Sequence, residues 1–359
     1  MVTCSALVRP SVEEAQGSPS KRLKGLAAPE EVTPEDRSQS LASCLQRPPL
    51  RRERYPRLRK QRIPRGPHPL FETPPSSEPS SDEESPVDGS SCTELAVIAP
   101  LRLDLRNFRD YGDDCYLYRR GIERDFLTAG CLSRQPQVKP ESRCKLISWL
   151  IPVHKHFNLG FESLCLAINI LDRFLFCTPV ASDCFQLVGV TSLLIACKQI
   201  EVRPPRVKQL LALCCGAFSH EQLCNLECII LLKLNFRLDS PTLHYFLEHY
   251  THMRLAHSES CKKDNVEALN ARSFATGVAE LSLADYAFNA YPPSLLAICC
   301  LGLGDKMLHN ERPLDLHISG YSDLLIQDCS EKLQLLVSLN VDSLPRLLPA
   351  GLSEKCRTI

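Results

Sequence analysis

The segment from Phe185 to Ile200 is helical in length and apolar almost all round. Leu187, Val190, Leu194 and Cys197 recur at three- and four-residue steps, and Val188, Leu193, Ile195 and Ile200 fill much of the remaining circumference. A helix of that kind lies at the centre of a domain. Asp183 is placed to cap it, and Pro204-Pro205 prevent its continuing. More one-sided patterns surround it. Ser142 to Phe157 carries Leu146, Ile147, Trp149, Leu150, Ile151 and Val153, and Pro152 within it predicts a kink or a shortened helix. Phe161 to Leu175 places Leu164, Cys165, Ile168, Leu171 and Leu175 on one side. Val207 to Leu213 is a short helix ended by Gly216. Ser219-x-x-Gln222 is a capping box that opens a helix through Cys228, Ile230, Leu231 and Leu234.

The pattern then begins again. Ser240-Pro241 reads as an N-cap followed by proline at the first helical position. Leu243, Phe246 and Leu247 lie on one helix, Val266 to Leu283 on a second and Pro293 to Leu308 on a third. Ser322 caps a last one through Leu325, Leu333, Leu336 and Leu339. The third contains Ser294-Leu-Leu-Ala-Ile-Cys299, an echo of Ser192-Leu-Leu-Ile-Ala-Cys197 in the first half. Each copy falls on the middle helix of five, which predicts a duplicated all-helical domain. Upstream, Asp104 to Phe126 reads as one or two helices interrupted by Gly112 and Gly121. Leu105, Phe108, Tyr111, Cys115, Tyr116 and Tyr118 supply an apolar side that docks on the helices downstream. The expected organisation is all-α. A disordered tail over residues 1–100 precedes two tandem five-helix domains at 101–239, with the docking helix, and 240–345; a C-terminal tail at 346–359 lacks a clear pattern.

Composition changes this picture in three places. The tail is proline-dense and poor in aromatics, which is the signature of disorder. Its charge is segregated: nine Lys or Arg with one acid, Glu53, lie between Arg47 and Arg65, and seven acids with no Lys or Arg between Glu72 and Glu94. The basic block reads as a nuclear-localisation or nucleic-acid patch or as a solvated tail. Ser18, Thr33, Thr73 and Ser85 each precede proline, and Ser18-Pro-Ser-Lys21 resembles the target of proline-directed kinases. The whole chain, 359 residues long, has a formal net charge of zero, so its overall field does not predict nucleic-acid binding. Its 19 cysteines are odd in number, none at C-x-x-C spacing, and no N-terminal apolar segment marks secretion. Cys165, Cys197, Cys224 and Cys228 therefore read as small core hydrophobes in a reducing compartment. The apolar runs Leu187 to Cys197 and Leu295 to Leu303 are too short for a bilayer. An intracellular, soluble protein is expected.

Lys198 is the anomaly in the central helix. A lone lysine there snorkels to water and favours the helix dipole. A second reading arises with Glu227: a protein that fixes a partner's conformation needs a few charge-assisted hydrogen bonds on a rigid surface with an apolar surround. Leu231, one turn after Glu227, lies on the same face.

The chain resembles the cyclin family. Ser142-Arg-Cys-Lys-Leu-Ile-Ser-Trp-Leu150 is similar to the segment opening the first cyclin box, and Asn169-Ile-Leu-Asp-Arg-Phe-Leu175 to the family's N-x-x-D-R-F-L. Leu193-Leu-Ile-Ala-Cys-Lys198 with Pro204-Pro205 fits the third box helix, and Leu226-Glu-Cys-Ile-Ile-Leu-Leu-Lys-Leu234 the fifth. The resemblance spans about residues 104–345 and implies two five-helix cyclin folds. It implies a non-enzymatic regulatory subunit that binds and activates a cyclin-dependent protein kinase, with Lys198 and Glu227, beside Leu231, contacting the kinase. It also implies a structural ion pair between Arg143 and Asp172. Leu146, Trp149 and Gln186 match a groove that docks Arg-x-Leu substrates, whereas Ser142, Lys145 and Pro152 depart from that groove, and Lys145 should repel basic peptides. Phe108-Arg-Asp-Tyr-Gly112, Arg134-Gln-Pro-Gln-Val138 and Pro205 to Phe218 are worded like one vertebrate branch of the family. That likeness implies a role in centriole amplification and multiciliated cell differentiation, in cytoplasm and nucleus. No cofactor, metal, membrane or small-molecule substrate is expected, and nothing in the sequence argues strongly for a nucleic-acid partner.

Two other classes share parts of this pattern. A IIB-type transcription factor or kinase-independent scaffold has the same duplicated fold, but the IIB zinc ribbon has no C-x-x-C here. A glycosylase-like enzyme lacks support, because there is no phosphate-binding glycine motif and His154-x-His156 has no convincing metal or acid partner and reads as part of a partly exposed helix.

Overall fold

Described residues in the computed structural model are 2–3, 101–257 and 262–357. The tail with its basic and acidic blocks, and with Ser18, Thr33, Thr73 and Ser85, lies outside them. Helix α1 (Leu101–Ile122) runs unbroken through Gly112 and Gly121 and passes into a 3-10 turn, Glu123–Phe126. The first box comprises α2 (Pro140–His156), α3 (Phe161–Cys177), α4 (Phe185–Ile200), α5 (Val207–Ala212) and α6 (His220–Lys233). The second comprises α7 (Leu243–His257), α8 (Lys262–Ala284), α9 (Pro293–Met307), a 3-10 turn at Leu316–Ser319 and α10 (Asp323–Leu339). Two short helices come last, α11 (Leu344–Leu347) and α12 (Ala350–Arg357). Among the described residues the extended pairing is a single parallel bridge between Val2 and Val180.

The all-round apolar helix is central, as its pattern requires. From Leu187 to Cys197 every residue of α4 is buried, and α2, α3 and α6 pack around it. Gly189 permits the closest approach: a Cβ there would sit 2.9 Å from Leu146 Cδ2. In the second box α9 takes the same place, buried from Ser294 to Leu301. At Gly304 a Cβ would meet the Ala271 carbonyl oxygen at 2.9 Å, so α8 and α9 pack backbone to backbone. The two echoed serines differ in use. Ser192 Oγ is buried without a hydrogen bond, whereas Ser294 Oγ donates to Glu123 Oε1 at 3.0 Å.

Helix boundaries depart from the sequence pattern in physically clear ways. Pro152 neither ends nor shortens α2, which continues a further turn to His156. Cys184, not Asp183, occupies the N-cap of α4. Thr242, not Ser240, caps α7: its Oγ1 accepts from Tyr245 N at 3.1 Å. Ser322 sits at the N-cap of α10, but its side chain makes no capping bond. The region after residue 345 is ordered, because Leu344, Leu348 and Leu352, four residues apart, are buried in the second core. Cys224 is half-buried and Cys228 exposed, contrary to a core role, while Cys165 and Cys197 are buried.

Helix α1 precedes the first box in sequence but packs on the second. Tyr116 stacks on His249 at 4.3 Å between centroids, and Arg119 lies 4.5 Å over the Tyr245 ring. Arg120 lies 4.3 Å over Tyr321 and pairs with the buried Glu123, which also accepts from Ser294 N. Tyr111, Cys115 and Tyr118, expected on the docking side, are exposed.

Helix α2 is partly exposed, with His156 exposed and His154 buried; Ile151 O accepts from the His154 Nδ1–H, which leaves Nε2 3.9 Å from Glu280 Oε1 across the seam between boxes. Burial, with the Lys155 charge adding to it, pushes its pKa down to about 4; burial and His252 do the same to His249. Both fall below the unfolded value of about 6.5. The folded state therefore excludes protons that the unfolded chain takes up, and stability declines as pH falls from about 6.5 toward 4. The loss at pH 5 is about 2 kcal/mol per histidine. Glu280, whose carboxyl burial raises, opposes this as it protonates. Urea unfolding at pH 7.5 and pH 5 checks the expectation; equal midpoints would refute it.

Candidate functional site

Three sets of residues singled out in the sequence now have positions. The first is the pair at the C-terminal end of α4 and the middle of α6. Burial in α4 stops at Cys197, so Lys198 is the first side chain to reach solvent before Pro204-Pro205 turn the chain. Helix α6 is set by its capping box, with Gln222 N donating to Ser219 Oγ at 3.1 Å and Ser219 N to Gln222 Oε1 at 2.8 Å. Leu223, Leu226 and Ile230 bury one face of it. That orientation leaves Glu227 at the edge of the buried face, where its Oε1 accepts from Lys198 Nζ at 2.5 Å. The lysine side chain is 48% exposed and the glutamate 15%. Leu231, partly buried, packs against the first core one turn further on. Here the two charges do pair with each other, but on an accessible surface rather than in the core.

Sequence reasoning missed the apolar residues at the ends of these helices. Val202, Leu232 and Phe236 are all exposed. Asn235 and Phe236 have φ of 51° and 56°, left-handed geometry that a bulky residue seldom adopts. Backbone bonds hold the pair, with Phe236 N donating to Leu231 O at 2.9 Å. Phe236 is thus an exposed aromatic on a hydrogen-bonded turn. Its signal in the sequence was an apolar residue just past a helix end, where a polar one is usual.

The second set is Arg143 and Asp172. The guanidinium grips the carboxylate bidentately, Nε to Oδ1 and Nη2 to Oδ2, each at 2.7 Å. Burial, the largest single influence, would lower the Arg143 pKa, but the charge and the hydrogen bonds of Asp172, with smaller contributions from Cys131 and Tyr286, together outweigh it and hold the guanidinium above its ordinary value. The same group also reaches the second box, donating to Leu283 O at 3.1 Å and Asn289 Oδ1 at 3.0 Å. Asn289 Nδ2 closes the ring by donating to Asp172 Oδ2 at 3.0 Å. The pair thus holds the two boxes together as well as α2 and α3.

The third set is the groove trio. Leu146 is buried in the first core against Gly189 of α4, Trp149 packs partly exposed on the same core, and Gln186 is partly exposed; Lys145 and Pro152 of α2 are exposed. Among the described residues no cluster of three or more His, Cys, Asp or Glu could hold a metal ion, and no helix is long and apolar enough to cross a membrane.

Comparison with known proteins agrees with this architecture. Residues 114–239 match the model of the cyclin N-terminal domain, and residues 241–346 that of the cyclin C-terminal domain. The chain is 55% identical to Cyclin-O protein A of Xenopus laevis over 99% of its own length and 98% of the relative's. It is 55% identical to Cyclin-O of Homo sapiens, covering 86% of this chain and 91% of that one. A solved viral cyclin from herpesvirus saimiri shares the fold, with a TM-score of 0.50 at 18% identity over 61% of this chain and 96% of that one. Two boxes in this order, each built around an echoed buried helix and each matched along its length, make the chain a member of the cyclin family.

Proposed function

We propose that this cyclin binds and activates a cyclin-dependent protein kinase through the surface of Lys198, Glu227 and Leu231. Cyclins are regulatory subunits rather than enzymes. The observation that carries the reading is the accessible Lys198–Glu227 pair, with Leu231 one turn on from Glu227. Lys198 has three donors and Glu227 two acceptor oxygens, so on docking each can turn from its neighbour to polar groups of a kinase. Leu231, on the same helical face as Glu227, supplies apolar surface that strengthens such bonds by excluding water. The test is direct: titrate the purified full chain against a panel of cyclin-dependent kinases, measuring affinity and phosphate transfer to a protein substrate. Saturable binding with a rise in transfer is expected. Binding without a rise would favour a kinase-independent scaffold, and no binding to any member would end the proposal.

The likeness to the Cyclin-O relatives supports a role in centriole amplification and multiciliated cell differentiation. Depleting the protein from differentiating ciliated epithelium should then lower centriole number per cell. The working place is cytoplasm and nucleus. The basic block supports nuclear entry, so replacing Arg51, Arg52, Arg59 and Lys60 with alanine should shift a tagged chain toward the cytoplasm. An unchanged distribution in imaged cells would leave the block as a solvated segment.

A further inference from the structure

The connection from α3 to α4 contains a short extended run, Pro179 to Ala181, whose two sides are used differently. Backbone groups of such a run point alternately to either side. On one side Gln135 Oε1 accepts from Val180 N at 2.9 Å, and just past the run Gln137 Oε1 accepts from Ser182 N at 2.9 Å. Gln135 Nε2 fixes the same side by donating to Leu175 O at 2.6 Å and Thr178 O at 2.7 Å. Two glutamine side chains thus stand where a neighbouring strand would be. On the other side is Val2: its N–H donates to Pro179 O at 2.9 Å, and its carbonyl accepts from Ala181 N at 3.0 Å.

The second side has a definite requirement. Pro179 has no N–H, and the Ala181 carbonyl already accepts from Cys184 N at 3.1 Å. What is left is one acceptor, Pro179 O, and one donor, Ala181 N–H. A single residue of extended backbone satisfies both, and Val2 does so in a parallel bridge. Val180 is fully buried and Ala181 is 6% exposed, so an N–H without a partner at that place is costly. The Val2 side chain, partly buried, packs against the first core. Main-chain and apolar contacts therefore meet at one residue.

We propose that the Pro179–Ala181 edge is a docking site of the first box for an extended segment led by a β-branched apolar residue, and that Val2–Thr3 fills it in cis as a latch. Recognition is through the main chain, as when a peptide adds a strand to a sheet edge, and the Val2 side chain is the anchor. The occupant is the chain's own, seated on the edge with both hydrogen bonds made. Left open, the same donor and acceptor would be a template for pairing with another chain. The latch thus protects the edge as well as holding residues 2–3 to the first box. The site lies before α4 and does not depend on the Lys198 surface.

The experiment is amide hydrogen exchange on the full chain, on a chain without residues 1–8, and on Val2→Asp and Val2→Ile. The Ala181 amide should exchange about tenfold or more faster in the deletion and in Val2→Asp, and at the parent's rate in Val2→Ile. Val180 and Ser182, whose amides are held by Gln135 and Gln137, should change little. Amides of α4 should stay protected throughout, which shows that the first box is folded. A synthetic peptide of residues 1–8, added to the deletion chain at about millimolar concentration, should restore the protection of Ala181, and the same peptide carrying Val2→Asp should not. The proposal is overturned if Ala181 exchanges at the parent's rate in the deletion, if Val180 and Ser182 loosen as much as Ala181, if Val2→Ile behaves like Val2→Asp, or if the peptide restores nothing. It is equally overturned if protection of Ala181 in the parent rises with chain concentration, which would put another copy's segment on the edge.

Discussion

Replacing Arg143 with alanine is expected to lower the stability of the folded chain by roughly 3–5 kcal/mol, the cost of stranding one partner of a buried ion pair. The side chain is fully buried and is the largest of the fully buried side chains in the described structure. Its loss leaves Asp172, 2% exposed, with only Asn289 and the weak Cys131 thiol as donors. It also leaves the Leu283 carbonyl without its partner across the seam. A melting temperature lower by about 10 °C is expected for a fold of this size. Arg143→Lys should recover little, because a point charge cannot bind both carboxylate oxygens and two acceptors of the second box at once. Replacing the pair together, Arg143→Met with Asp172→Leu, should cost less than either single change, since no charge is then left buried. Urea melts of the variants check all three; an Arg143→Ala chain as stable as its parent would show that the seam does not depend on this ion pair.

Lys198→Ala combined with Glu227→Ala should have the opposite signature. The pair is solvent-accessible, and exposed ion pairs contribute about 0–1 kcal/mol, so the melt should hardly move. Kinase binding should fall by roughly a hundredfold or more, because the polar groups of the kinase would be desolvated without partners. Measuring affinity and melting temperature on both variants separates surface from scaffold. A double variant that melts normally and still activates a kinase fully would remove Lys198 and Glu227 from the mechanism.

What could be read from the sequence was what is encoded locally. The all-round apolar pattern of Leu187 to Cys197 placed α4 at the centre, and the capping box at Ser219 fixed the start of α6. Six echoed residues located α9, since a buried middle helix tolerates few alternatives. The neighbourhood of Lys198 and Glu227 needed the family pattern, as a separation of 29 residues is invisible to periodicity. Features decided by distant partners were not legible. Tyr116, rather than Tyr111 or Tyr118, faces inward because His249 and Tyr250 are there to receive it. His154 is buried because α8 covers it. Leu344, Leu348 and Leu352 repeat at helical spacing, but Pro345, Pro349 and Gly351 hide the repeat from a reader of pattern.

The attachment of α1 has a consequence for the order in which the molecule assembles. Tyr116 waits for Tyr250, 134 residues later, and Glu123 for Tyr321, 198 residues later. At a synthesis rate of about 5–20 residues per second, the second of these gaps lasts about 10–40 s. Helix α1 is made before either box and finds its seat after nearly all of the second has emerged. During that interval the first box can gather around α4, while Glu123, destined for full burial, stays in water with Arg120 as its neighbour. The first of the described helices to leave the ribosome is thus among the last to close, and its docking reports that the second box is in place.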